Sequence, residues 1–314
     1  MKQESFTVSC EHELGRNGQT ILLTIEKFNK KSKINLQITK ILLIFAPTNQ
    51  KFICLMETDI IYNEDCLETM FGGHIDEHSI DIVLTSPPYN TSRTSSKEDP
   101  YSFRYDTYND GLTDEEYIDF ICKCFEGYDR ILKKNGSVLF NVSYSSENTS
   151  LMWNLISDIQ RRTPFIVADC IIWKKKNAIP NNVSSNKLTR LCEFVFVMCR
   201  KEDQFTFFMN KDVDSVSKKG QTIYTNVFNF IEAPNNDGSC DLNKATFSSE
   251  LVRKLLLMYG KDDFVVYDSF MGTGTTAIGA IKENMRYIGS ELSEAQVEYA
   301  RERIKQEQSK LTLF

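Results

Sequence analysis

Two loops far apart in the chain each close a run of strand length, and together they restrict the fold more than any other feature. Ile80-Asp81-Ile82-Val83-Leu84 leads into Thr85-Ser86-Pro87-Pro88-Tyr89-Asn90, and Phe264-Val265-Val266-Tyr267 leads into Asp268-Ser269-Phe270-Met271-Gly272-Thr273-Gly274-Thr275-Thr276. Ligands of open α/β sheets collect beyond the carboxyl ends of the strands, so two loaded ends predict a cofactor and a substrate meeting over one sheet. Between the loops, Thr113 and Glu116 form a capping box ahead of an apolar face at Tyr117, Ile118, Ile121, Phe125, Tyr128, Ile131 and Leu132, and Gly136 is expected to end that helix. A strand from Ser137 to Val142, a helix from Leu151 to Arg161 and a strand from Phe165 to Trp173 continue the alternation of a largely parallel sheet.

The second loop admits several ligands when taken alone. Gly272 and Gly274 let backbone approach a ligand where a Cβ would collide, and Thr275 opens a helix. Gly-x-Gly after a strand occurs in dinucleotide enzymes, in phosphate loops and in plain tight turns. No phosphate-loop lysine follows and the third glycine of the dinucleotide fingerprint is missing, which argues against a nucleoside triphosphate. One strand further on, Arg286-Tyr287-Ile288-Gly289-Ser290-Glu291 puts Glu291 at a strand tip, where it can accept hydrogen bonds from ribose hydroxyls. Equally, Glu291 can be a first-turn acid before a helix over residues 293–305, capped by Ser293 and Gln296. The first loop, too, has a plain reading as a Pro-Pro turn with a packing tyrosine.

Joined, the two strings resemble the DNA amino-methyltransferases that use S-adenosylmethionine. The resemblance runs from about Thr58 to the C-terminus. It matches Phe270-x-Gly272-x-Gly274, with Asp268, Thr275 and Thr276 around it, to the methionine-side cofactor loop, Glu291 to the ribose-binding acid, and Thr85-Ser86-Pro87-Pro88-Tyr89 to the catalytic loop. Asp65 and Cys66, in Ile60-Ile61-Tyr62-Asn63-Glu64-Asp65-Cys66-Leu67, match a segment that closes over the cofactor's adenine. Because the catalytic loop comes first, the order is similar to the circularly permuted beta class. The resemblance implies a Rossmann-like methyltransferase fold with a largely parallel twisted sheet, permuted, and a small target-recognition insert. The expected layout is an N-terminal extension over 1–57, a small β unit suggested by the alternation at 20–46, then a catalytic half over 58–200, a recognition region over 201–245 and a cofactor half over 246–314. Asn243-Lys244-Ala245-Thr246-Phe247-Ser248 departs from the family, which usually shows a His-Pro pair and a later Pro there. Leu132 to Phe140 and Cys192-Glu193-Phe194-Val195-Phe196 read as scaffold.

The chemistry accounts for the catalytic loop. An exocyclic base amine is a poor nucleophile because its lone pair is delocalised into the ring. The Ser86 hydroxyl and the Pro87 carbonyl can accept both amine hydrogens and aim the lone pair at the sulfonium methyl. Pro87 and Pro88 stiffen the turn and remove backbone donors. Tyr89 offers a face on which an extruded base can stack, since the target atom is unreachable inside a duplex. The product ammonium can lose its proton to Ser86, Asn90 or water. Relatives with Ser before Pro-Pro mostly methylate cytosine N4, whereas Asp there usually accompanies adenine N6, so Ser86 favours cytosine with adenine as the alternative. Ring-carbon methylation needs a cysteine nucleophile, normally in a Pro-Cys pair, and no proline here precedes a cysteine. A protein-glutamine methyltransferase also uses a Pro-Pro-Tyr loop, but with the cofactor loop first. A non-catalytic DNA-binding regulator on the same fold would be expected to have lost one of the two loops.

The expected partners are double-stranded DNA and a cognate restriction endonuclease. The net charge of −6 makes local cation clusters the candidates for phosphate contact: Lys174-Lys175-Lys176 first, with Arg190, then Lys27, Lys30, Lys31 and Lys33, Arg161 and Arg162, and Lys218-Lys219. Each cluster also reads as a solvated face. The segment Thr91 to Asp110 reads as a cover over the base or the DNA. The 314 residues, 41% hydrophobic, suffice for an α/β core and one smaller lobe. Ile41 to Ala46 is far short of a membrane span, no signal sequence is evident at the N-terminus, and nine cysteines without a Cys-x-x-Cys pair fit free cytoplasmic thiols. His74-Ile75-Asp76-Glu77-His78 lacks the glutamate placement of a zinc site, so no metal is expected.

Overall fold

The computed structural model describes residues 5–15, 18–28, 38–44 and 51–54 as backbone strands, and residues 56–90, 111–145, 148–178, 180–182, 184–235, 240, 243, 246 and 248–311. The segment 91–110, read above as a cover, lies outside the described residues, as do Lys30, Lys31, Lys33 and the side chain of Lys27. The chain divides into two compact units, Met1–Glu57 and Thr58–Phe314. In the first, β1 (Ser5–Gly15), β2 (Gly18–Phe28), β3 (Ile38–Ile44) and β4 (Lys51–Cys54) form a four-stranded sheet in sequence order, antiparallel throughout.

The second unit alternates strands and helices: β5 (Ile60–Tyr62), α1 (Cys66–Phe71), β6 (Ile80–Thr85), α2 (Asp114–Ile131), β7 (Leu132–Val142), α3 (Leu151–Arg162), β8 (Phe165–Lys175) and β9 (Cys192–Arg200). A short hairpin follows, β10 (Val213–Val216) with β11 (Thr222–Tyr224), then β12 (Phe230–Ala233), α4 (Ser249–Tyr259), β13 (Val265–Asp268), α5 (Thr275–Lys282), β14 (Arg286–Ser290) and α6 (Glu294–Leu311). The main sheet has eight strands in the order β12-β8-β9-β7-β6-β13-β14-β5. Every neighbouring pair is parallel except the two that flank β9, which runs against β7 and β8. This is the largely parallel α/β sheet expected. Alternate strand residues serve opposite faces. Leu84, Leu139 and Val197 join Leu251, Leu255, Ala277 and Val297 in one apolar layer, whereas Phe140 and Phe165 meet Phe125 of α2 with ring centroids 5.3 and 5.4 Å away.

The predicted capping box forms: the Thr113 hydroxyl accepts from the Glu116 N–H at 3.2 Å and Glu116 accepts from the Thr113 N–H at 2.9 Å. Gly136 does not end α2. The helix stops at Ile131 and the turn falls on Asn135, whose φ of 63° is left-handed and whose N–H is taken by the Asp203 carboxylate at 3.0 Å. Gly136 is instead a close approach, since a Cβ there would lie 2.9 Å from the Asp81 carbonyl oxygen. The junction is pinned by the buried Arg200, which donates to the Asp129 carboxylate and to the carbonyls of Asp129, Leu132 and Lys133. Two other expectations shift. β8 runs on through Lys174 and Lys175, two residues past the expected end at Trp173, and α6 continues past residue 305 to Leu311. Within 201–245 the periodicity fades in sequence, yet β12 joins the main sheet beside β8.

Candidate active site

β6 and β13 lie side by side at the centre of the sheet, with Val266 opposite Ile82 and Tyr267 opposite Val83. From there the order continues through β7 on one side and β14 on the other. Such a switch point opens a crevice beyond the strand ends. A cavity of about 330 Å³ occupies it, walled by Ser86 and Pro88 from the first loop and by Ser269, Phe270, Met271, Gly272, Thr273 and Thr275 from the second. Its size suits a small-molecule ligand. The two loops that were read as meeting therefore share one cavity.

Asp268 ties them together from beneath. Its Oδ1 accepts from the Thr85 hydroxyl at 2.7 Å and from the Phe270 N–H at 3.0 Å, and its Oδ2 accepts from the Thr276 hydroxyl at 2.6 Å. Asp268 and Thr276 are buried and stand outside the cavity wall, so they act through the loops they hold. Burial pushes the Asp268 carboxyl up from an ordinary 3.8 to about 6, against the pull of the two hydroxyls and the Phe270 N–H. A carboxyl whose pKa rises on folding favours the native state while protonated. That contribution is complete below pH 3.8 and is lost as the pH rises through 6. Relative to the wild type, Asp268→Asn is therefore expected to gain stability as the pH rises from about 4 to 8, on top of a pH-independent cost for giving up one acceptor oxygen. Urea midpoints across that range test it, and a difference between variant and wild type that does not change with pH would refute it.

The glycine loop divides its labour. Gly272 has φ 51° and lines the cavity, whereas Gly274, at φ 82°, sits under it, and a Cβ there would lie 2.9 Å from the Ala300 Cβ of α6. Gly274 thus permits helix packing, and it is not part of the cavity wall. Glu291 caps the approach to α6 and also lines the cavity: Oε1 accepts from the Ser293 N–H at 2.9 Å and Oε2 accepts from the Gly272 N–H at 2.8 Å. Asp65 and Cys66 line it as well, Asp65 capping α1 through the Leu67 N–H at 2.7 Å.

Several wall residues were not among the site residues expected from the sequence. Glu64, Leu112, Glu116, Phe120, Asn243, Thr246 and Gln296 all contribute. Asn243, from the segment that departs from the family pattern, donates to the Gln296 side chain at 2.8 Å beside Gly272. Among the described residues, the Thr246 and Thr275 hydroxyls are buried without a hydrogen-bond partner. Orphaned hydroxyls and a carboxylate-rich wall fit a ligand that brings its own polar groups and positive charge.

In the catalytic loop, Ser86 and Pro88 face the cavity; Pro87 is buried and, like Tyr89, is not part of its wall. The Pro88 carbonyl accepts from the Tyr117 hydroxyl at 2.7 Å. The Asn90 side chain forms a two-bond clasp on Leu112, donating to its carbonyl at 2.8 Å and accepting from its N–H at 2.9 Å, which suits a loop anchor better than a proton acceptor. The Tyr89 hydroxyl donates to Glu193 at 2.9 Å. Each lysine of the triple run has a carboxylate partner: Lys174 with Glu232 at 2.5 Å, Lys175 with Glu193 at 2.5 Å and Lys176 with Glu250 at 3.1 Å. Arg190 lies over the Tyr144 ring, 5.6 Å from its centroid.

The profile of the N6/N4 DNA methylase family matches residues 80–302, a span that holds both loops. The chain belongs to that family. Among curated relatives, the type II methyltransferase M.Cfr9I of Citrobacter freundii is 29% identical over 157 residues, a stretch covering 49% of this chain and 49% of M.Cfr9I, so the match spans about half of that protein. The structure of the cytosine-N4-specific PvuII DNA methyltransferase superposes with a TM-score of 0.60 at 18% identity, covering 80% of this chain and 92% of that one. A DNA modification methylase from Thermus thermophilus, solved in complex with S-adenosyl-L-methionine, gives 0.52 at 21% identity, covering 79% and 95%. At these identities the superpositions establish a shared fold.

Proposed function

We propose that this chain transfers a methyl group from S-adenosylmethionine to the exocyclic amine of a base extruded from double-stranded DNA, as the modification enzyme of a restriction-modification pair. The observation that carries this reading is the single cavity walled by both loops. S-adenosylmethionine is the cofactor of the family, and when bound it supplies an electrophilic methyl on a sulfonium. Residues of this chain suited to hold it are Glu291 for ribose hydroxyls, Asp65 and Cys66 toward the adenine, and Phe270, Gly272 and Thr275 on the methionine side, with Asp268, Gly274 and Thr276 shaping the loop beneath.

Ser86, in the cavity wall, presents its hydroxyl oxygen as an acceptor for one amine hydrogen, and Pro87 and Pro88 keep the turn from shifting. The Pro87 carbonyl as second acceptor and the Tyr89 ring as stacking face for the base are assigned on the family resemblance, since neither residue is part of the cavity wall. The first target is cytosine N4, because Ser stands before the two prolines; adenine N6 is the second reading. Contacts to the phosphates fall to Lys174, Lys176 and Arg190; all three lysines are ion-paired, but Lys174 and Lys176 are 42% and 47% exposed whereas Lys175 is 17% exposed.

Incubation with duplex DNA and methyl-labelled cofactor, followed by digestion to nucleosides, is expected to yield labelled N4-methylcytosine. Labelled N6-methyladenine would reassign the base and keep the class. Label on protein, or none on DNA, would remove the class.

A further inference from the structure

Behind Ser86 lies a hydrogen-bonded chain that runs away from the cavity into the sheet. The Ser86 Oγ is 3.3 Å from the Tyr89 hydroxyl, and the Tyr89 hydroxyl donates to Glu193 Oε2 at 2.9 Å. The Asn141 amide nitrogen sits in the middle, 2.6 Å from the Tyr89 oxygen and 3.2 Å from both Ser86 Oγ and Glu193 Oε2. Lys175 holds the other carboxylate oxygen of Glu193 at 2.5 Å. These groups are shielded: Asn141 is fully buried, and the side chains of Lys175 and Glu193 are 17% and 14% exposed. Glu193 arrives because β9 is antiparallel, so its second residue lies beside the carboxyl ends of β6 and β7.

The hydrogens in this chain have one consistent direction. An ionised carboxylate only accepts, so Glu193 accepts hydrogen bonds from the Tyr89 hydroxyl and from one Asn141 N–H, which also fixes the orientation of the Asn141 amide. The Tyr89 oxygen is then an acceptor on its Ser86 side, and the Ser86 hydroxyl can point its proton there. With its proton on that side, Ser86 has a lone pair free for the cavity that it lines. That polarity is what an acceptor for an amine hydrogen requires; a Ser86 proton aimed into the cavity would oppose the substrate's own N–H.

We propose that Glu193, anchored by Lys175, is a positioning residue that sets the hydrogen-bond direction of the Asn141–Tyr89–Ser86 chain and so keeps Ser86 an acceptor toward the methyl-accepting amine. The assignment rests on the reading of Ser86 given under Proposed function. Glu193→Gln keeps size and hydrogen bonding but adds a donor, which allows the direction to reverse. Tyr89→Phe keeps the ring and removes the link.

The test is steady-state methylation of duplex DNA with cofactor affinity and melting temperature measured alongside. E193Q is expected to lower kcat about tenfold or more, with KM for DNA and cofactor Kd within about twofold of wild type and the fold intact. Y89F is expected to do the same, and the double variant to lose no more than the worse single one, because both break one chain. A folded E193Q with wild-type kcat, or losses that multiply in the double variant, would overturn the assignment. Should E193Q not fold, Y89F carries the test, and full turnover in Y89F would overturn it. A wild-type protein that methylates no DNA would instead overturn the functional reading on which the assignment stands.

Discussion

Ser86→Ala is expected to lose turnover by roughly a hundredfold to a thousandfold while binding cofactor as tightly as the wild type. Ser86 is part of the cavity wall contributed by the first loop, so removing its hydroxyl takes away an acceptor for the amine without disturbing the glycine loop on the opposite wall. The Thr85–Asp268 bond that joins the loops is also left in place. Single-turnover methylation and equilibrium cofactor binding separate the two effects. Preserved turnover would take Ser86 out of the mechanism, and lost cofactor affinity would mean that the two walls are not independent.

Glu291→Ala is expected to act in the complementary way. Its carboxylate braces the Gly272 N–H and the Ser293 N–H while facing the cavity, so its removal frees two backbone donors and deletes the acceptor proposed for the ribose. Charge-assisted bonds of this kind are each worth ~1.5–3 kcal/mol, which sets the expected loss of cofactor affinity at about a hundredfold. Calorimetric titration with cofactor checks it. An unchanged Kd would return Glu291 to the plain reading of an acid ahead of α6. Glu291→Gln, which keeps one acceptor, should fall between the two.

The parts of the site that were legible in the sequence are those carried by local pattern. An apolar run followed by Ser-Pro-Pro-Tyr or by Gly-x-Gly announces a strand end wherever the strand goes, and both loops are found at strand ends. What local pattern does not carry is strand order. Asn141 reads as one polar residue in an apolar strand and Glu193 as one carboxylate opening another; only the placement of β9 beside β7 brings both behind Ser86. Asn243 and Gln296 became visible for the same reason, since they are far apart in sequence and joined across the cavity. Charge runs mislead differently. Lys174-Lys175-Lys176 shows its sign in the sequence but not its partners, and Glu232, Glu193 and Glu250 come from three separate elements. Gly136 and Gly274 were read through their turn-forming and ligand-approach roles, whereas the neighbours that exclude a side chain there, Asp81 and Ala300, are remote along the chain.

The reversed course of β9 bears on how such proteins can be recombined. A strand that enters the sheet where its neighbours leave it exposes its beginning to the reactive rim and its end, Arg200, to the opposite rim. Foreign segments spliced in beyond Asp203, whose carboxylate holds the Asn135 N–H, would start from the rim remote from the chemistry. An insertion at the β8–β9 junction bears directly on the Lys175–Glu193 contact. Chimeras that trade specificity elements should tolerate the first kind of splice and be crippled by the second.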